Sequence, residues 1–522
     1  MRHRLALAAI LAALLALLTS RPQAQTRSFD LLTATVADIH AAVDAGALTY
    51  ERLVRLYLDR IASYDTQGPR LRAVLAVNPR AEEIARTLDQ ERQTRGRRSP
   101  LHGIPIAVKD NVDVSDLATT GGNAMFAGTR PALDATIIAR LREAGAIILA
   151  KTNLDELALS TRGFSTVGGQ TLNPYDLTRN PGGSSSGTAV AVTASFATLG
   201  IATETGVSIR SPATNSSIVG IAPSRGLVSR AGVIPVSFTQ DRVGAHAKTV
   251  IDAALLLEAI RGFDAADLST AAGLGRTSSQ SLAQPGTGLE GKRVGVLRDL
   301  FRQGAEFGPI NQRIDLQLRT IPGRGAVLVD SLSTRLDLVA MMPTLRVNSY
   351  ELRPAFDAYL LRRGPASPVK TFADLVASGR YLRGEALEAR FEETMKAGDL
   401  NRNREYLERL RTQHTIREAL IGLMDQHQLD ALVYPMKSVG ASPIGTADAG
   451  VADNNISAVT GLPAIVVPAG TGPQGLPIAV EFLGRPFAEA TLVAIAHGFE
   501  QATHARIQPP ATPYRPGERF AY

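Results

Sequence analysis

Over residues 33–65 apolar side chains recur at three- and four-residue steps. That spacing predicts two helices, the first ending near Gly46 and the second starting near Thr49 with Leu53, Tyr57, Ile61 and Tyr64 on one face. From about residue 100 the pattern changes to short apolar runs separated by turn residues. Positions 104–108 read as a strand. Asp134 is expected to cap a helix that runs to Glu143 and stops at Gly145, and 146–150 to form a strand delivering Lys151, Thr152 and Asn153. Positions 188–199 are small and apolar and predict a buried helix ended by Gly200, with a short strand at 201–203. Further strands are expected at 293–297, 326–330, 431–434 and 463–468, and a closing helix at 488–501. This alternation argues for an α/β fold: a single large domain with a central mixed, largely parallel β-sheet flanked by helices on both faces. Positions 335–428 are mostly helical and arginine-rich, with Leu407, Leu410, Leu420 and Met424 as core candidates. This helical insert is expected to lie over the sheet and help form a substrate pocket. A Ser-, Ala- and Gly-rich stretch at 264–290 reads as a flexible surface connection.

Composition narrows the class. With 522 residues, 44% of them hydrophobic, the chain can bury a sizeable core. Arg2, His3 and Arg4 precede an apolar run from Leu5 to Leu18 that is too short for a comfortable membrane span, and Ala24 is a plausible cleavage point. Residues 1–24 are therefore expected to be a signal peptide and the mature chain, 25–522, to be exported, periplasmic or secreted. The mature domain would have its core at about 100–260 and 430–522. No stable membrane insertion is expected after leader removal, and a homodimer is compatible with the sequence. The absence of cysteine rules out disulfides, thiol nucleophiles and cysteine-based metal sites. The net charge of +7 is spread along the chain, and with 5% aromatics and no tryptophan the sequence does not suggest a nucleic-acid partner.

Candidate chemistry lies in three small-residue settings. Lysine is scarce: 7 of the 56 basic residues, the rest being arginine. Arginine keeps its proton at neutral pH, whereas a buried lysine can lose it. Lys109 closes the run Ile104-Pro105-Ile106-Ala107-Val108 at an expected strand end, where desolvation would make it a general base. The alternative is a stem packed on apolar surface with its head in water. Gly182-Gly183-Ser184-Ser185-Ser186-Gly187-Thr188 precedes a helix. Thr188 stands where a phosphate-binding loop needs lysine. Gly183-x-Ser185-x-Gly187 matches a nucleophile elbow in form, but Asn180-Pro181-Gly182 reads as loop where that motif needs a strand. A serine-rich helix cap is the remaining reading. Ser208 follows Thr205-Gly206-Val207 in a tight turn, where it is either a cap or a nucleophile under backbone N–H donors.

The three segments together, in this order, resemble the amidase signature family. Ser184 and Ser208 lie 24 residues apart, the family's spacing between relay serine and nucleophile, and the Gly103–Asn111 segment lies where the family's lysine lies. The resemblance runs from about 101 to 254 and returns at 453–468 and 477–484. Ala202-Thr203-Glu204-Thr205 and Ile234-Pro235-Val236-Ser237-Phe238-Thr239-Gln240-Asp241 are most similar to the bacterial peptide amidases. The resemblance implies hydrolysis of a carboxylic or peptide amide by a Ser-Ser-Lys triad through an acyl-enzyme, with no cofactor and no metal. Lys109 would take a proton through Ser184, Ser208 would attack the carbonyl, and the backbone at Thr205, Gly206, Val207 and Ser208 would hold the oxyanion. A cis peptide is implied at Gly183–Ser184.

The chain departs from the family pattern at a few positions. Val207 and Ser186 replace usual glycines, Glu204 a common aspartate, and Ala222 a frequent lysine. At Val207 either the turn is ordinary or the pocket is reshaped, and the branched side chain would narrow the acyl site. Other readings are a ligand-binding protein that lost turnover through Val207, a hydrolase of aryl amides, esters or carbamates, the enzyme component that amidates tRNA-bound glutamate, and an α/β-hydrolase using Ser185 with one of the eight histidines.

Overall fold

A computed structural model describes residues 27–276, 281–450 and 454–522. The expected leader at 1–24 and Asp453, where the resemblance resumes, lie outside these residues. Fifteen strands follow in chain order: β1 (Ser28–Asp30), β2 (Val74–Val77), β3 (Pro105–Lys109), β4 (Ile147–Thr152), β5 (Phe164–Ser165), β6 (Gly169–Gln170), β7 (Leu199–Glu204), β8 (Val219–Ala222), β9 (Arg242–Ala247), β10 (Arg293–Leu297), β11 (Val327–Leu332), β12 (Ala431–Pro435), β13 (Ala464–Thr471), β14 (Pro477–Gly484) and β15 (Arg519–Ala521). Eleven of them form one sheet in the order β11-β10-β12-β14-β13-β8-β9-β7-β3-β4-β2. The expected mixed sheet in a single large domain is present. Its parallel ladders join β4, β3 and β7 on one side and β11, β10 and β12 on the other, with antiparallel pairings elsewhere. β3, β4, β7, β9 and β14 are buried at every position, so helices must cover both faces. No helix among the described residues is long and apolar enough to cross a membrane.

The two N-terminal helices form at Val36–Asp44 and Tyr50–Arg60, each opened by a threonine whose hydroxyl accepts an N–H of the first turn. Several expected boundaries are corrected. Asp134 does not cap the helix Thr136–Glu143; Ala135 does. The Asp134 carboxylate instead accepts from Ser115 N and pairs with Arg142. Gly200 does not end a helix either. The helix Ser186–Thr193 stops early, Ser195 turns the chain at φ +54°, and Gly200 lies inside β7. A Cβ there would stand 2.5 Å from Thr188 Cγ2, so glycine lets the helix sit close on the sheet. The 264–290 stretch is anchored rather than loose: it carries a 3₁₀ turn at Leu268–Gly273, and Leu282 and Leu289 join the main core; residues 277–280 of it are not described. The apolar pattern predicts no strands at β2, β8, β9 or β14, and all four are present.

The region 335–428 is helical, with its longest helices at Asn348–Arg363 and Arg404–Gln426. Leu420 and Met424 enter the main core, while Leu407 and Leu410 pack half-buried on a satellite cluster around Val347, Tyr350 and Tyr406. A second cluster of Phe126, Phe356, Phe372 and Phe391 fastens the insert to the body. The carboxyl ends of the adjacent parallel strands β3, β4 and β7 converge beneath it, the usual place for a binding crevice in an α/β sheet.

Candidate active site

Lys109 is the last residue of β3 and is fully buried. Its Nζ lies 2.8 Å from Ser184 Oγ, 2.9 Å from Thr203 Oγ1 and 3.3 Å from Thr203 O. Burial pulls the amine down to about 7, against the milder pull of Asp155, Asp241 and Glu204 in the other direction. The contacts suit a neutral amine. Thr203 O can only accept, and Thr203 Oγ1 takes a second N–H. Lys109 donates to Ser184 Oγ while charged; in the neutral amine the lone pair faces Ser184 Oγ and the hydroxyl donates. Three other buried lysines serve differently: Lys151 pairs with Asp110, Lys437 pairs with Asp448, and Lys248 donates to Leu31 O.

Ser184 is fully buried and follows a cis peptide to Gly183. Its carbonyl accepts from Asp155 N at 3.2 Å. The expected loop ahead of the helix is present, with no strand before it. Ser185 Oγ donates to Thr203 O at 3.0 Å and receives Thr203 N, so it is spent on β7 and has no histidine partner. This overturns the elbow reading. The two serine loops meet where Ser185 N donates to Ser208 O at 3.3 Å. No hydrogen bond joins Ser184 Oγ directly to Ser208 Oγ among the described residues; that link of the expected triad is open.

Ser208 faces a cavity of about 700 Å³ together with Thr205, Gly206 and Val207. None of the four successive N–H groups from Thr205 to Ser208 donates to an acceptor among the described residues. The turn is held from outside. Glu204 accepts from Ile209 N and Arg210 N just beyond it, and Arg210 Nη2 donates to Gly206 O at 2.6 Å. Arg210 also pairs with Glu204 and Glu481, and Arg242 with Glu204, all of them buried. Burial alone would raise the Glu204 carboxyl, but Arg210 and Arg242 outweigh it and hold it below its usual range. Gln240 Nε2 donates to Thr205 O, and Thr205 Oγ1 donates to Asp241 at 2.5 Å. Val207 does not adopt a left-handed backbone, so valine fits this turn without strain. Its side chain packs on Ala189, Val192, Ala213 and Met436. The turn is ordinary there, as one of the two expectations had it.

Lys109, Ser184 and the 205–208 turn are thus brought to one region. Sequence reading missed Thr203, which orients the lysine, and Asp155, whose buried Oδ2 has no hydrogen-bond partner. Burial raises Asp155 to about 6, against donation from Gly163 N and Arg162 N and the charge of Lys109. Gln240 stood in a segment carrying the resemblance but with no role; it links the turn to the insert by accepting from Val347 N. None of these carries a local signal of its role, since each gains it only through contacts between distant segments. Among the described residues no cluster of His, Asp and Glu could hold a metal ion.

The Amidase family profile matches residues 52–493. A probable amidase of Arabidopsis thaliana is 34% identical over 92% of this chain and 92% of its own length. A glutamyl-tRNA(Gln) amidotransferase component of Chloroflexus aggregans is 33% identical over 90% of this chain and 96% of its own. The solved native peptide amidase of Stenotrophomonas maltophilia superposes with a TM-score of 0.83 at 37% identity, covering 94% of this chain and 99% of that one. Matches of this extent, carrying the same fold as the site just described, show that the chain belongs to the amidase signature family.

Proposed function

We propose that the protein hydrolyses a carboxylic or peptide amide to the acid and ammonia or amine, through an acyl-enzyme on Ser208. Family membership and the peptide amidase likeness support amide hydrolysis as the chemistry. The observation that carries the mechanism is a lysine amine poised near neutrality and bonded to Ser184, beside a turn of unoccupied N–H donors at the cavity wall.

Neutral Lys109 draws the proton of Ser184, and Ser184 draws that of Ser208 once the Ser208 side chain swings to it. Ser208 Oγ bonds to the amide carbon, and the carbonyl electrons move onto oxygen under the Thr205–Ser208 N–H groups. Each such donor is worth about 3–4 kcal/mol of transition-state stabilisation. Collapse expels the amine, which takes the proton back through Ser184. Water then attacks the ester by the same route and releases the acid. The residues supply base, relay, nucleophile and oxyanion site, so no step calls for a cofactor. The amidotransferase relatives favour a second reading, in which the ammonia released from an amide donor passes to tRNA-bound glutamate. Export rests on the basic, apolar leader at 1–24, and N-terminal sequencing of the mature protein tests it.

The test is to incubate purified protein with peptide amides, anilides, fatty amides, carbamates and glutamine, and to measure released amine or ammonia. At least one non-glutamine class should turn over, and Ser208→Ala should abolish it. Turnover equal in Ser208→Ala, or release from glutamine alone, contradicts the hydrolase scheme.

A further inference from the structure

We propose that the cavity is built for an amide that carries a carboxylate away from the scissile bond, and that Arg346 and Arg390 of the helical insert receive it. This rests on the amide-hydrolase reading and names its substrate class.

Arg346 and Arg390 line the same cavity as Ser208. The guanidinium of Arg346 makes no hydrogen bond and no ion pair among the described residues, and its Nε is wholly buried without a partner. Arg390 uses one donor, Nη1 to Leu159 O at 2.9 Å. A guanidinium carries five N–H donors, so this half-buried pair leaves most of them without a protein partner on the cavity wall. Arg346 Nε is moreover a fully desolvated donor left unpaired, which is costly. The carboxylates of the cavity cannot serve. Glu156 is engaged by Asn123, Thr166 and Leu382 N, and Asp448 by Lys437 and Ser211. Asp155 accepts from Arg162 N and Gly163 N through Oδ1, and its unpartnered Oδ2 lies against Gly183. Arg383, also on the cavity, already pairs with Glu388.

Electrostatics agree with the geometry. Burial first, and then the neighbouring charge of Arg390, pull Arg346 down to about 10. Burial also lowers Arg390, with Glu393 on its own helix opposing. A carboxylate between them would relieve both effects and accept in bidentate fashion. The position fits as well. Arg346 adjoins Val347, whose N–H donates to Gln240, and Gln240 in turn donates to Thr205 O in the turn ahead of Ser208. The carboxylate-receiving wall and the nucleophile turn are therefore joined by one side chain.

The test compares peptide amides with glutamate one or two residues from the scissile amide against their methionine counterparts. In the wild type, kcat/KM should favour at least one glutamate member by roughly 10- to 100-fold, the range of a charge-assisted hydrogen-bonded contact. Arg346→Gln and Arg390→Gln should each pull that ratio toward one, chiefly through KM. Ratios near one in the wild type, or ratios unmoved in both variants, overturn the proposal while leaving amide hydrolysis intact. Calorimetric binding of the same pairs to Ser208→Ala protein reads the preference without turnover. Tighter binding of glutamate members supports the proposal even if turnover fails, and equal binding overturns it.

Discussion

Two lysines a few ångströms of sheet apart show how surroundings decide a residue's chemistry. Lys151 on β4 meets the Asp110 carboxylate and three oxygens of the neighbouring loop; burial lowers its pKa, but the Asp110 charge opposes that pull. Lys109 on β3 meets hydroxyls and one carbonyl, and burial lowers it to about 7. Its folded value lies below the unfolded 10.5, so from about pH 7 upward the unfolded chain binds more protons and this group's contribution to stability rises with pH. Below about 7 the amine is charged in both states and cannot act as a base. Lys109→Arg keeps the charge and forbids deprotonation; kcat/KM should fall at least 100-fold, measured at pH 8 on any amide the wild type cleaves. Lys109, Ser184 and Ser208 were singled out by motif and spacing, and the fold brings the first two within 2.8 Å of each other. Thr203, Asp155 and Arg346 were not singled out. A threonine at a strand end and an arginine in an arginine-rich insert look ordinary until the fold shows what each one faces.

At the scale of elements, the serine helix Ser186–Thr193 is packed against backbone rather than side chains. A Cβ on Gly187 would meet Asn153 N at 2.5 Å, Asn153 O at 2.6 Å and, closer still, Ala73 O. Main chain cannot move aside as a flexible side chain can. Gly187→Ala should therefore cost about 3 kcal/mol or more, read from the midpoint of denaturant unfolding. Small residues in this stretch announced close packing in the sequence, but they also misled. Uniform small apolar character at 188–199 carries no mark of where helix gives way to strand, and the turn at Ser195 has no glycine to flag it. Strands such as β9, Arg242–Ala247, escaped because polar Arg242 and His246 interrupt the apolar run. Both are buried and bonded to partners well away in sequence: Arg242 to Glu204, and His246 Nε2 to Ile209 O.

Across the whole molecule, alternating strands and helices were enough to foresee one α/β domain with a helical insert. The order of the strands was not, because pairings such as β8 with β13 join segments over two hundred residues apart. The chain closes on itself in the same non-local way. β1 pairs with β15, and Arg60 at the end of the second helix pairs with Glu518, both fully buried. Arg60 also donates to Ala194 O, Thr512 O and Pro513 O. Arg60→Leu would leave the buried Glu518 carboxylate without its cation and remove a donor from Ala194 O and Thr512 O, while Pro513 O keeps Tyr64. A loss of about 3–5 kcal/mol in unfolding free energy is expected, measured by urea titration at pH 7.

The lysine–serine scheme itself is open to one measurement: the rate at which a fluorophosphonate labels the intact protein from pH 5 to 9, with the modified residue located by peptide mass spectrometry. The label should fall on Ser208, at a rate that climbs through about pH 7 and then levels, and Lys109→Met should remove that climb. Label on Ser184 or Ser185, or a Ser208 rate indifferent to pH, would contradict a neutral lysine working through the relay serine.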